Sequence, residues 1–306
     1  GLNRQSDLVR ALAQLSALSS SLQSAAPATV AATEAGARAA APPVLTHRLP
    51  DGRALAYRIY GAPAGQACMM VHQGLGSSLL PRGTDQLARD LGLHIVCAER
   101  PGTGRSDPRP ELSFAAVADD LVDLTNALGL EQVRVAAFMN GVAFALAYAD
   151  ALGPRAERLL LASGRPTGAE PETERDLRHP IILLRRRLAR SAWAVGPLYA
   201  LLRRRLSRRQ VETMARTAAS APGDGAYLRS HPDVITYIHA YMSEGLSRGS
   251  KGAARELALC ANTPRLDLPA LSAPISVWYG ADDPGGSPEQ LLAWLGRPCA
   301  EVRVVP

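Results

Sequence analysis

The stretch Val133-Arg-Val-Ala-Ala-Phe-Met-Asn-Gly-Val-Ala-Phe-Ala-Leu-Ala-Tyr-Ala149 decides the fold. Its first six residues form a short apolar run fit for a strand buried on both faces, and from Gly141 onward the run is long enough for a buried helix. Its length stops near the membrane-spanning threshold and it contains an Arg, an Asn and a Gly, so it reads as core rather than as a span. Working outward, five further apolar strands are expected: ACMMVH (67–72), HIVCAE (94–99), RLLLAS (158–163), ISVWYG (275–280) and AEVRVV (300–305). Helical patterns separate several of them, including LSFAAVADDLVDLTNALGL, with Ser113 as N-cap and Gly129 as stop. Alternation of this kind predicts an α/β fold, a mostly parallel twisted sheet with helices on both faces. Upstream, the Asp51-Gly52 pair supplies the turn of a strand hairpin. Between Pro166 and about Asn262 the alternation breaks into helices and loops alone, which we read as an inserted helical lid. The organisation expected is thus a terminal helix (1–18), an Ala, Ser and Pro rich linker (19–42), a core (43–165 and 262–306) and the lid (166–261).

The chain has 306 residues, 47% hydrophobic and 20% charged, which excludes a mainly disordered protein. The amino-terminal stretch lacks a signal-peptide pattern, so a cytoplasmic location is expected. The cysteines, Cys68, Cys97, Cys260 and Cys299, show neither metal spacing nor disulfide density and read as buried thiols. No cluster has ligand spacing for a metal, and neither Gly-rich turn fits a phosphate-cofactor fingerprint, so no cofactor is expected. The net charge of +6 is concentrated: ten Arg against Glu212 lie between His179 and Arg216. A solvated face inflated by Arg-rich coding, an attractor for an anionic ligand or acidic partner, and a contact for phospholipid or DNA phosphates all remain open for that segment.

Three motifs make the chain from about Val44 onward resemble the α/β-hydrolase superfamily. HQGLGSS (72–78) is similar to the family's turn after the third strand, whose backbone N–H groups help form an oxyanion hole. ERPGTGRSD (99–107) is similar to its Gly-rich turn after the fourth strand, and YGADDP (279–284) to the turn that carries the triad acid. The resemblance places Asp283 in the acid's role, with Asp282 as the alternative. It also aligns Ala137-Phe138-Met139-Asn140-Gly141 on the nucleophile elbow, small-x-Ser-x-Gly, with Met139 at the nucleophile's position. A thioether has no proton to lose to a base and forms no hydrolysable acyl intermediate. The triad His implied after the last strand is not found up to Pro306. Of the six His, His72 belongs to the oxyanion turn, His94 starts a strand, His47 lies in the hairpin, and His179, His231 and His239 fall in the lid, where His239 is a candidate to face the pocket.

What remains is a pocket that binds without turnover. Gly74 and Asn140 would offer backbone N–H groups to a carbonyl or carboxylate oxygen, Asp283 would accept from a hydroxyl or amine, and Met139 would pack the floor. The expected ligand is a medium-sized apolar compound with one carbonyl or acid group. Gly1, Arg4, Leu8, Val9 and Arg10 resemble the closing helix of a LuxR-type helix-turn-helix domain; an arbitrary amphipathic helix is the alternative. If the resemblance is right, DNA is contacted through a region upstream of residue 1, and the chain is the sensor of a transcription regulator, with a homodimer as a possible assembly. A genuine hydrolase of an ester, amide or similar bond with an unrecognised nucleophile, and a pseudoenzyme scaffold for a protein partner, are the competing readings.

Overall fold

A computed structural model describes residues 40–168, 188–207, 209, 211, 231–281, 283 and 286–305. The terminal helix, most of the linker, His179, Asp282 and part of the Arg-rich segment lie outside the described residues. The chain opens with strands β1 (Leu45–Arg48) and β2 (Ala54–Gly61), paired antiparallel. Their connection is longer than the Asp-Gly pair alone: Leu49 donates to the Arg53 carbonyl and Gly52 to Leu49, with Gly52 at φ +85°. Then follow β3 (Gln66–Val71), helix α1 (Asp85–Asp90), β4 (Leu93–Ala98), α2 (Phe114–Ala127), β5 (Val133–Phe138), α3 (Gly141–Leu152) and β6 (Ala156–Ala162). Among the described residues β6 is followed by helices α4 (Ala192–Arg205), α5 (Pro232–Gly245) and α6 (Lys251–Asn262), and then by β7 (Ile275–Gly280), α7 (Pro288–Leu295) and β8 (Glu301–Val305).

The eight strands form one sheet in the order β1-β2-β4-β3-β5-β6-β7-β8, parallel from β4 to β8. β5 and β7 match the expected apolar runs residue for residue, and α2 starts where the Ser113 hydroxyl accepts from the Ala116 N–H. Strands this apolar need cover on both faces, and two buried clusters supply it. One gathers Val71, Val135, Leu161 and Val277 with α3, and the other Met70, Ile95, Leu160 and Trp278 with α1. α3 is hydrophobic almost all round, and Val142 through Leu146 have no more than 0% exposure, as a helix in the middle of a layered core requires. Among the described residues no helix is long and apolar enough to cross a membrane. A third cluster ties α5 to the β3 turn through Leu79, Ile235, Ile238 and Tyr241.

Candidate ligand pocket at the strand ends

In an open parallel sheet the cavity forms beyond the carboxyl ends of the strands. Here β5 and β6 run directly into a non-glycine residue at positive φ, Met139 (φ +51°) and Ser163 (φ +47°), and the turn after β3 holds a third, Leu75 (φ +60°). Such left-handed positions are strained for ordinary side chains and concentrate where a fold builds a site. Met139 sits between the last residue of β5 and the first turn of α3, its N–H given to the Ala162 carbonyl. The small neighbours required around it are in place. A Cβ added to Gly141 would lie 2.6 Å from the His72 carbonyl oxygen and 2.9 Å from that of Val71. The elbow expected at Ala137–Gly141 therefore forms, with Met139 at its apex.

A cavity of about 320 Å³ opens above the elbow, reached by Gln73, Met139, Arg165, Tyr199, Glu256 and Cys260 among others. Gly74, Met139 and Asn140 all line it. Asp283 is not among the residues lining it; it lies in the turn after β7, with its N–H on the Gly280 carbonyl. His239, the lid candidate to face the pocket, is not among the residues lining it; its Nε2 lies 3.4 Å from both Ser243 Oγ and the Leu206 carbonyl. The Gly74 N–H, expected to be open to a ligand oxygen, is already engaged, donating to Asn140 Oδ1 at 2.7 Å.

The ERPGTGRSD turn contributes most of the site's rigidity. Arg100, 1% exposed, pairs through both Nε and Nη2 with the buried Glu256 of α6, at 2.7 and 2.9 Å. The same guanidinium donates from Nη1 to the His72 carbonyl at 2.6 Å and lies 4.6 Å from the centre of the Phe144 ring. It thus locks the turn after β3 to both α3 and α6. This bidentate geometry is a strong way to satisfy a buried cation. Glu256 and Arg100 were not singled out from the sequence, since no local period links a Gly-rich turn to a helix 156 positions later.

His72 is fully buried beneath this turn, with Nδ1 on the Gln73 carbonyl at 2.8 Å. Burial, helped by the Arg100 charge, holds its pKa well below the usual value, so it stays neutral. That supports the structural role expected of it. Arg203, Arg204 and Arg205 end α4 on exposed positions, favourable at a helix carboxyl terminus.

Behind the pocket wall, Glu99 is fully buried, accepting from the Arg105 N–H and the Ser78 hydroxyl at 2.7 and 2.8 Å. Gly104, at φ +54°, is necessarily glycine, because a Cβ would fall 2.2 Å from Glu99 Oε2. Burial raises the Glu99 pKa above the ordinary glutamate value of 4.5. The folded state therefore holds this proton where the unfolded chain releases it. Stability from Glu99 is complete below pH 4.5 and is lost as pH rises from there through its folded-state pKa. Unfolding by urea at several pH values is expected to show the parent losing ground to Glu99→Gln across that range; parallel curves would count against it.

Residues 68–305 match the family model described as the alpha/beta hydrolase fold. The chain belongs to that family. Among solved structures, it is similar to the enol-lactonase of Burkholderia xenovorans LB400, at 16% identity and a TM-score of 0.59 over 85% of this chain and 90% of that one. It is similar also to a thermophilic esterase of Thermogutta terrifontis, at 23% identity and a TM-score of 0.59 over 86% and 89%. A bromoperoxidase of Bacillus anthracis shares 16% identity and a TM-score of 0.61 over 86% and 91%. At these identities the likeness is one of fold. Uncharacterized proteins of Mycobacterium tuberculosis and Mycobacterium bovis are 30% identical over 127 residues, which is 41% of this chain and 36% of theirs. The match thus spans about a third of those relatives' length.

Proposed function

We propose that this α/β-hydrolase member is a small-molecule sensor that binds in the strand-end pocket without turning its ligand over. The observation that carries the proposal is Met139 at the apex of the elbow, φ +51°, where acyl transfer needs an oxygen or sulfur nucleophile. Cys260 also reaches the cavity, but burial pushes its pKa up to about 12, so at neutral pH it is a thiol and not the reactive thiolate. Leu75, Pro166, Ala253 and Leu257 give the walls an apolar character suited to a medium-sized apolar ligand with one carbonyl or acid group. A role in a LuxR-type transcription regulator rests on the sequence of residues 1–18 alone, and DNA contact would come from upstream of them. A homodimer belongs to the same reading.

Hydrolysis of an ester, amide or similar bond is the second reading. Membership of a hydrolase-fold family, with lactonase and esterase structures among the similar folds, favours it more directly than it favours sensing. Short-chain p-nitrophenyl esters separate the two. The parent protein is expected to release p-nitrophenol no faster than buffer does. Turnover that survives Met139→Ala would place a nucleophile elsewhere and replace the sensor with an enzyme.

A further inference from the structure

Asn140 makes an unusual choice for its position. At the start of a helix an Asn side chain commonly accepts from the N–H of the second or third helical residue. Asn140 precedes α3 with helical backbone angles, φ −73° and ψ −5°, and makes no such bond. Its Oδ1 reaches across the pocket mouth instead and takes the Gly74 N–H at 2.7 Å. Gly74 allows this approach because it has no side chain; a Cβ there would meet Asn140 Nδ2 at 2.5 Å. The donor is well fixed, since Arg100 holds the carbonyls of His72 and Gln73 on the same turn.

A carboxamide oxygen and a ligand's carbonyl or carboxylate oxygen are acceptors of one kind. We infer that Asn140 is the resident occupant of a carbonyl subsite centred on the Gly74 N–H, and that a carboxylate ligand binds by displacing its side chain. This rests on the pocket-binding reading above and assigns residue 140 as the determinant of carboxylate affinity. The cavity already borders both residues, so the displaced carboxamide leaves its place to a group entering from the pocket.

Hexanoate tests the inference, with 1-hexanol as a probe of equal chain length that lacks the carbonyl. Binding is measured by calorimetric titration and by the amide proton shift of Gly74. Asn140→Ala removes the competitor and is expected to bind hexanoate about three- to tenfold tighter than the parent, the net worth of one neutral hydrogen bond. Asn140→Asp holds the Gly74 N–H with a charge and repels the probe, and is expected to bind about tenfold weaker. Hexanol, whose neutral hydroxyl is a weaker acceptor for the same N–H, is expected to change affinity less than hexanoate does in each variant. Asn140→Ser, a good helix start whose hydroxyl is too short to bond Gly74, is expected to behave as Asn140→Ala and serves if alanine unfolds. Saturable hexanoate binding that Asn140→Ala and Asn140→Ser leave unchanged or weaken would overturn the inference while leaving the pocket reading intact. If neither probe binds the parent or the alanine variant, the pocket reading itself falls.

Discussion

Glu256→Ala is expected to lower the free energy of unfolding by about 3–5 kcal/mol, and the melting temperature by about 10 °C, because it strands the Arg100 guanidinium. The pair is dry: the Arg100 and Glu256 side chains are 1% and 2% exposed. Removing Glu256 leaves the guanidinium buried with only the His72 and Gln73 carbonyls and no carboxylate at bonding distance. The pair itself need not stabilise much, since two desolvated charges repay one another only partly. Replacing both, as Arg100→Met with Glu256→Leu, is therefore expected to recover most of the loss. Urea denaturation of the two single variants and the double variant forms a cycle that checks it. Equal and additive losses would mean that the residues act independently, and that the turn after β3 is held to α6 by packing alone.

That pair also marks where the sequence stops being informative. β5 and β7 were legible to the residue because each is an apolar run ended by a change in chain direction, and period and turn chemistry are local properties. β6 starts at Ala156, two residues before the expected run, since pairing with β5 extends a strand past its apolar part. The elbow was legible because Ala137 and Gly141 answer a steric demand within five residues. The Arg100–Glu256 clamp, the Arg58–Glu244 pair at 2.7 Å and the Asn140–Gly74 bond join segments 156, 186 and 66 positions apart. Nothing in a local pattern says which buried carboxylate a given arginine will find. Asp283 shows the same limit from the other side. Its turn follows β7 as expected, yet whether a side chain there reaches a cavity beyond β5 is set by packing between distant segments and not by the turn's own sequence. Gly74 lines the cavity, but that its N–H is taken depends on the rotamer of Asn140.

Gly141→Ala is expected to destabilise the protein and Gly196→Ala to leave it nearly unchanged, although both put a methyl group on a helical glycine. At Gly196, inside α4, an added Cβ meets nothing within 4 Å beyond the flanking residues, and the backbone entropy it removes is offset by its crowding against the ring of Pro197, so stability is expected to change by less than about 1 kcal/mol. At Gly141 the new atom would lie 2.6 and 2.9 Å from two backbone oxygens of β3 and its turn, which no side-chain rotation relieves. Either α3 or the turn after β3 must shift, at a cost of about 1–3 kcal/mol or more. The shift is directed: it separates the start of α3 from the turn holding Gly74, and so lengthens the bond between Gly74 and Asn140. Two readouts follow, a lower urea midpoint and a moved Gly74 amide resonance, both absent in Gly196→Ala. A Gly141→Ala protein as stable as the parent, with the Gly74 resonance in place, would mean that the elbow tolerates a side chain at this point. The close approach of α3 to β3 would then not be what fixes Met139 at the pocket floor.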